Sequence, residues 1–314
     1  MTLQTTGLAG LAPEMKTYYD RRLIARALPT LLHARFAQRR TIPRRGGKII
    51  EFRKFSSLGV SKTALTEGTP PAGQSLTVTA ITATVLQYGD GVKFSDLVRT
   101  TTIDPILEET TDLLAEQAAE SIDEIVRDAL VLGTSVQYWD GSRAARVNIA
   151  ATDTLNVATI RRAVLTLTLN RARKIDGMYH AIIHPRQAHD LQGTTEWVNA
   201  QIAGERTGRV QSGALGSLYG VTFWVSDKAH LVANSGVGAT VDVYMALFFG
   251  ADAYGVVALE SHNLETIFHP LGSAGTSDML NQQSSMGWKV AFTTKILSDE
   301  FMVRVETSTS TGAN

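Results

Sequence analysis

A few residue groups in this 314-residue chain have the types that chemistry needs, and their spacing decides how far each can be taken. His180 and His184 lie four apart in a segment of strand character and so share a face, with His189 and Asp190 close behind. Imidazoles and a carboxylate on one face could hold a metal, but Asp190 is the one carboxylate at a convincing spacing, and core or surface histidines are the simpler reading. In Gly216-Ser217-Leu218-Tyr219-Gly220 the serine stands one place too early for the Gly-x-Ser-x-Gly turn that exposes a hydrolase nucleophile. Gly46-Gly47-Lys48 lacks the upstream glycine and the following Ser/Thr of a phosphate loop, and Gly272 to Ser277 does not lead from an evident strand into a helix. Both read as turns. The pairs Glu108-Glu109 and Asp123-Glu124 are explained by solvation on a helix surface. With no cysteine, thiol catalysis, disulfides and thiolate metal sites are excluded together, and a reducing compartment fits. No catalytic residue, metal ligand or cofactor is assigned. A cytoplasmic α/β hydrolase or metal enzyme centred on His180, His184 and Ser217 remains an alternative from another class.

The elements that would have to position such groups point elsewhere. Asp104 and Pro105 are an N-cap and first-turn pair, Ile106 and Leu113 stand two turns apart, and Leu114, Ala118, Ile122, Ile125, Ala129 and Leu132 follow at three- and four-residue steps up to Gly133. This predicts a helix over 104–132, roughly 42 Å long at 1.5 Å per residue, with one buried stripe and carboxylates over most of the remainder. Residues 104–128 carry nine acids and one base, eight negative charges net, whereas residues 1–54 carry twelve bases and three acids, nine positive net. The formal net charge of zero therefore hides a dipolar chain, and the chain as a whole is no polycation built for nucleic acid. Arg39-Arg40 and Arg44-Arg45, flanking Pro43, could meet nucleic-acid phosphates or an acidic surface of the same or a neighbouring subunit. The long helix supplies such a surface, which favours subunit pairing.

Residues 1–12 read as a loose arm, and Pro13 opens a helix that ends before Pro29. Lys48 to Phe55 is strand-like, and a stretch rich in Ser, Thr, Gly and Pro follows. Leu76, Val78 and Ala80, then Ile81, Ala83 and Val85, alternate with threonines, with a one-residue shift that suggests a bulge. The pattern predicts a long β-hairpin with its tip near Pro70 and Pro71. An isolated hairpin is marginal in water, so this one needs a partner, and another chain could supply it. Beyond a turn at Trp139-Asp140-Gly141 a mixed α/β region begins: a helix capped by Asn156, a strand at Tyr179 to Ile183, helical turns from Pro185 and from Thr194, and strands at Val221 to Val225, Asp242 to Phe249 and Tyr254 to Leu259. Gly204 to Gly220 is glycine-rich, His262 to Gln283 is a loop-rich insert, and Trp288 to Val305 reads as a C-terminal hairpin with a frayed tail from Thr307. Val241 to Leu259 is apolar but broken by Asp242, Gly250, Asp252 and Gly255, so it is no membrane span, and the start has no signal-peptide pattern. A soluble cytoplasmic product is expected.

A basic arm, a long hairpin, a long helix, a mixed α/β region and returning strands, in that order, resemble the major capsid protein of tailed bacteriophages. Leu65-Thr66-Glu67-Gly68, Gln74-Ser75-Leu76-Thr77-Val78-Thr79, Gln87-Tyr88-Gly89-Asp90, Phe94-Ser95-Asp96-Leu97, Leu218-Tyr219-Gly220-Val221 and Gly287-Trp288-Lys289 are similar to the podophage N4-like coat protein subfamily. Gly91 departs from its pattern and predicts a looser hinge below the hairpin. The resemblance implies an α+β fold with an N-terminal arm (1–47), an E-loop hairpin (48–90), a P-domain with a spine helix (91–153), an A-domain (154–259), and a P-domain loop with C-terminal strands (260–314). It implies a non-enzymatic, self-assembling subunit of the virion, made in the bacterial host cytoplasm, whose hexamers and pentamers close an icosahedral head around double-stranded DNA. The expected partners are copies of itself, a portal protein, scaffolding and decoration proteins, and non-specific contact with packaged DNA, without any membrane. Since the chain starts directly at the arm, scaffolding would come from a separate protein or from residues outside it. The residues expected at subunit contacts are Arg21, Arg22, Arg39, Arg40, Arg44, Arg45, Lys62, Glu67, Pro70, Pro71, Glu109 and Glu116. A cellular nanocompartment shell that loads protein cargo is the alternative on the same fold. Some family members crosslink a lysine to an asparagine; Lys62 lies in the matching loop, but no acceptor is identified.

Overall fold

The computed structural model of the chain describes residue 23 and residues 31–56, 58–62, 64, 67–68, 73–101, 106–204, 214–260, 264–273 and 278–312. In chain order its elements are β1 (Gln38–Ile42), β2 (Ile49–Phe55), β3 (Val78–Thr84), β4 (Leu86–Ser95), α1 (Asp96–Thr101), α2 (Ile106–Val131), β5 (Val136–Tyr138), α3 (Val157–Leu169), β6 (Tyr179–Ile183), α4 (Pro185–Gln192), α5 (Thr195–Gly204), β7 (Ala214–Leu218), β8 (Val221–Val225), β9 (Leu231–Val232), β10 (Val243–Phe249), β11 (Tyr254–Leu259), β12 (Glu265–His269), β13 (Gln283–Ile296) and β14 (Met302–Thr307). The expected helix between Pro13 and Pro29, with Arg21 and Arg22, lies outside the described residues apart from Leu23, which is helical and fully buried. Asp104 and Pro105 lie outside them too.

Helix α2 fills most of the predicted span, and it buries Thr111, Leu114, Ala115, Ala118, Ala119, Val126 and Leu130. Leu113 and Leu132, expected in that stripe, are exposed instead, and Asp123 is buried within it. The reason is the partner: β13 directs Met286, Trp288, Val290 and Phe292 at the helix, and small residues on α2 let these bulky side chains approach. Trp288 Nε1 donates to Gln117 Oε1 at 3.1 Å, and Gln117 Nε2 donates to Asp90 Oδ2 on β4 at 2.6 Å, so the helix edge is also pinned by polar contacts.

The strands form two sheets and a hairpin. In one sheet β1 pairs with β11, β11 and β12 pair with successive lengths of one edge of β13, and β4 runs antiparallel along its other edge from Gln283↔Ser95 to Phe292↔Leu86. In the other the order is β5-β14-β10-β6-β8-β7, with β9 beside β10. Every residue of β10, VYMALFF, is buried, because this central strand has a covered layer on each face. Leu247 and Phe249 join α2 and the arm on one side, while Ala246 and Phe248 join Ile160, Ala163 and Leu167 of α3 and Trp197 of α5 on the other. As expected, Asn156 caps α3, its side chain accepting from the Thr159 amide at 3.0 Å.

Several expectations need correction. Trp288 to Val305 is no hairpin, because β13 and β14 belong to different sheets. The tail from Thr307 does not fray within the described residues: Thr307, Ser308 and Thr309 are buried, the Ser310 amide donates to Asp190 Oδ2, and Arg186 donates to the Gly312 carbonyl. The loop-rich insert contains β12, paired with β13 from Glu265↔Lys289 to His269↔Ser285, which its short ETIFH segment did not announce. β2 and β3 pair without a bulge from Ile49↔Thr84 to Phe55↔Val78, so the shift at Ala80 to Ile81 reflects a change in what covers the strand. Ala83 and Val85 are buried at the hairpin base, whereas Ala80 and Val78 are exposed on its outer half.

Nor does Gly91 loosen a hinge. It sits inside the ten-residue β4, opposite Gly287. A Cβ would lie 2.9 Å from the Met286 carbonyl oxygen at Gly91, 2.7 Å from that of Asp90 at Gly287, and 2.5 Å from that of Trp288 at Gly89. The two strands approach here more closely than side chains allow. Gly89→Val should therefore lower stability by about 1–3 kcal/mol, the usual cost of overpacking. Gly73→Ala, with nothing within 4 Å of the new Cβ, should stay within about 0.5 kcal/mol. Urea unfolding of both variants checks this.

Candidate inter-subunit surfaces

The basic arm is held by its own subunit before it reaches any other. His33 is fully buried and bonded on three sides: its amide donates to Asp123 Oδ1 at 2.7 Å, its Nδ1 lies 2.5 Å from Asp123 Oδ2, and its carbonyl accepts from the Tyr254 hydroxyl at 2.6 Å. A carboxylate this deep in an apolar stripe is tolerated because both oxygens are satisfied. Burial pushes the Tyr254 phenol up, with the Asp123 charge adding to it, so Tyr254 stays a neutral donor. Phe36 then stacks on His180 at 4.5 Å, and the Arg35 guanidinium lies 4.3 Å from the Trp224 ring. β1 continues parallel to β11 from Gln38↔Gly255 to Ile42↔Leu259.

This places the expected contact residues. Arg39 and Arg40 are exposed on β1, with the Arg40 guanidinium 4.8 Å from the Phe52 ring of β2. Arg44 and Arg45 are exposed in the turn before β2; the Arg44 amide donates to Glu260 at 3.0 Å, and Arg45 takes a left-handed backbone with φ 69°. Among the described residues no carboxylate pairs with these four guanidinium groups. Lys62 and Glu67 are exposed beyond the hairpin strands, and Pro70 and Pro71 lie outside the described residues. Glu109 and Glu116 are exposed on α2, one on each side of the exposed Leu113. The rest of the acidic helix is partly used within the chain: Glu120 pairs with Lys228 at 3.1 Å, and Glu124 and Asp128 pair with Arg127 at 3.6 and 2.8 Å. His33 and Asp123 were missed as a pair. The available signal was a carboxylate four residues after Ala119 and three before Val126, in line with the stripe.

The hairpin base finds its partner within its own subunit rather than on another chain. Phe52, Ala83 and Val85 form a small core with Ile42, Val257 and Ala291, and Lys54 pairs with Glu300 at 3.7 Å. Among the described residues its outer half has no such cover: Phe55, Leu58, Val60, Leu76 and Val78 are between 46% and 74% exposed.

The residues that suggested an enzyme are apart and occupied. His180 is buried in the sheet, its Nδ1 accepting from Trp224 Nε1 at 2.9 Å. His184 caps α4, its Nδ1 accepting from the Arg186 amide at 3.2 Å. Exposed His189 has the neighbouring Asp190 3.6 Å away, and Ser217 lies in β7 opposite Thr222. No cluster of metal-ligating side chains occurs among the described residues, and none of their helices is long and apolar enough to cross a membrane.

A two-sheet body with a spine helix, a projecting hairpin and a docked arm defines the class: the fold of phage capsid subunits. The chain is similar to the capsid of Ralstonia phage GP4 at TM-score 0.71 and 16% identity, over 88% of each chain. It is similar to the cyanophage Pam1 capsid at TM-score 0.70 and 15% identity, over 91% of this chain and 92% of that one. A virus-like particle from Pyrococcus furiosus matches at TM-score 0.54 and 10% identity, over 93% of this chain and 99% of that one. No curated protein sequence matches the chain. The model of the phage capsid protein family matches residues 78–305, and the chain belongs to that family. It is a shell-forming structural protein of the virion, not an enzyme.

Burial holds the imidazoles of His180, His184 and His230 below their ordinary range. The folded state therefore favours their neutral form, whereas the unfolded chain takes up protons near pH 6.5. Their contribution to stability is complete above that value and is lost as pH falls towards the depressed folded values. The thermal midpoint should drop as pH is lowered from about 6.5 to about 5.5. His180→Gln, which can still accept from Trp224, should make that drop smaller; an unchanged pH profile would remove His180 from the account.

Proposed function

We propose that the chain is the major capsid protein of a tailed phage, with copies grouped as hexamers and pentamers in an icosahedral head around double-stranded DNA. The observation that carries this is the hairpin: a well-anchored base and an apolar outer half that the described residues of its own subunit leave uncovered. A neighbouring subunit is the natural cover, since such an arrangement is marginal in water by itself. The segments 1–47, 48–90, 91–153, 154–259 and 260–314 then act as arm, E-loop, spine-bearing P-domain, A-domain, and P-domain loop with returning strands. Arg39, Arg40, Arg44 and Arg45 meet a neighbour or packaged DNA, as would Arg21 and Arg22. Lys62, Glu67, Pro70 and Pro71 lie across the adjacent subunit. Glu109 and Glu116 receive basic groups beside Leu113. Assembly takes place in the host cytoplasm, with a portal protein at one vertex and separate scaffolding or decoration proteins as helpers. The motifs around the hairpin support the podophage N4-like subfamily. Family membership supports a phage shell over a cellular nanocompartment and over the hydrolase.

Deleting Thr63 to Gln74 tests the reading. The variant should stay soluble and folded by circular dichroism, with its unfolding midpoint nearly unchanged, yet form no closed shells in negative-stain micrographs where the parent does. Normal shells from the deletion would show that the hairpin tip is not an assembly element.

A further inference from the structure

The seven-stranded sheet ends in two surfaces of opposite character. β6 and β8 start at one end, as the pair Tyr179↔Val221, and β10 finishes there, with Phe249 opposite His180. α3 also finishes there, where Asn170 Nδ2 donates to the Glu300 carbonyl at 2.9 Å. This end exposes Leu169 (72%) and Tyr219 (50%). Beside them Arg171 and Lys174 are exposed with no carboxylate partner among the described residues, whereas Arg173 is neutralised by Asp252 at 2.9 Å. Asp176 is the acid of that turn, so the end keeps a positive excess.

At the opposite end β10 starts, paired with β9 through Val243↔Val232, and β6 and β8 finish at Ile183↔Val225. Two single helical turns, Arg146–Asn148 and Val237–Ala239, close it, joined by the Val237 amide donating to the Ile149 carbonyl at 2.9 Å. Val147 (64%) and Val237 (46%) are exposed here. Most cations of this end are already paired with acids, Arg146 with Glu306, Arg143 with Asp153 and Lys228 with Glu120, while Arg186, just beyond β6, donates to the Tyr244 hydroxyl and the Gly312 carbonyl. Exposed Asp227 and half-buried Asp242, just before β10, carry no ion pair among the described residues and outnumber Arg186, so the balance is acidic.

We infer that these ends dock head to tail, the apolar–basic end around Leu169 and Arg171 of one copy seating on the apolar–acidic end around Val147, Val237 and Asp227 of a second copy of this chain. The inference rests on the shell reading and adds a contact pair to it. Two different, complementary patches on opposite ends of one body make a heterologous contact, which closes rings when copies repeat it. The charges set polarity and exclude like-to-like pairing, and the apolar centres supply buried area.

Charge reversal in the full chain tests it. Arg171→Glu and Asp227→Arg should each fold normally by circular dichroism and lower the yield of shells by about tenfold or more at fixed subunit concentration, because like charges placed across a contact disfavour it. The double variant Arg171→Glu/Asp227→Arg should restore shells, and Leu169→Ser should lower the yield with either charge pattern. Full shell yield from both single reversals would overturn the inference while leaving the shell reading intact, as would reduced yield in both singles without rescue in the double. A parent chain that forms no shells under any salt condition or with any scaffold would instead overturn both.

Discussion

The packing of α2 against β13 is the contact on which the rest of the subunit depends. β13 is the strand where one sheet is joined: β4 runs along one edge, and β12 and β11 share the other. Its alternate side chains face α2, and Ile182, Trp224, Leu247 and Phe249 of the second sheet join the same core. One helix thus serves as common core for both sheets, and its length fixes how far the body extends. The small residues Ala115, Ala118 and Ala119 follow from this, since a thicker stripe would push Trp288 and Phe292 outward.

That central layer explains the division between rigid and projecting parts. The arm is tied to the helix by the His33–Asp123 bonds and to the sheet by β1, so the arginines beyond it start from a fixed point. The hairpin is tied through Phe52 and Ala83, and its apolar outer half starts from a fixed point as well. Both appendages gain their anchors within the subunit, and on the proposed reading their far ends are left for other copies. A shell protein needs this combination, because a tile with a flexible body would lose the geometry that its contacts specify.

Much of this was legible in the sequence. The spine helix, β6, β8, β10, β11 and the Asn156 cap follow from periodicity and capping chemistry, and their bounds agree with the structure to within a residue or two. What periodicity cannot report is the partner. Leu113 and Leu132 fit an apolar stripe numerically, yet the bulky side chains of β13 selected the alanine-rich face next to them. Trp288 to Phe292 and Phe301 to Val305 have the pattern of two strands of one hairpin, but nothing local says that the second strand crosses to another sheet. The glycines of β4 read as looseness, because a close backbone approach leaves no mark except the missing side chains themselves. For the surfaces, residue type and exposure were foreseen at Arg39, Arg40, Arg44, Arg45, Glu109 and Glu116, while the in-chain use of Glu120 and Asp128 depends on Lys228 and Arg127 arriving from distant or turned positions.

The central claim is that subunits carry a preformed body whose hairpin and arm become covered only by other copies. Amide hydrogen exchange, compared between free subunits and purified shells, measures this directly. The account predicts that amides of β10, β13 and the buried face of α2 are strongly protected in both states, and that amides of residues 56–77 gain protection only in shells. Equal protection of residues 56–77 before and after assembly, or a body that is unprotected in the free subunit, would contradict it.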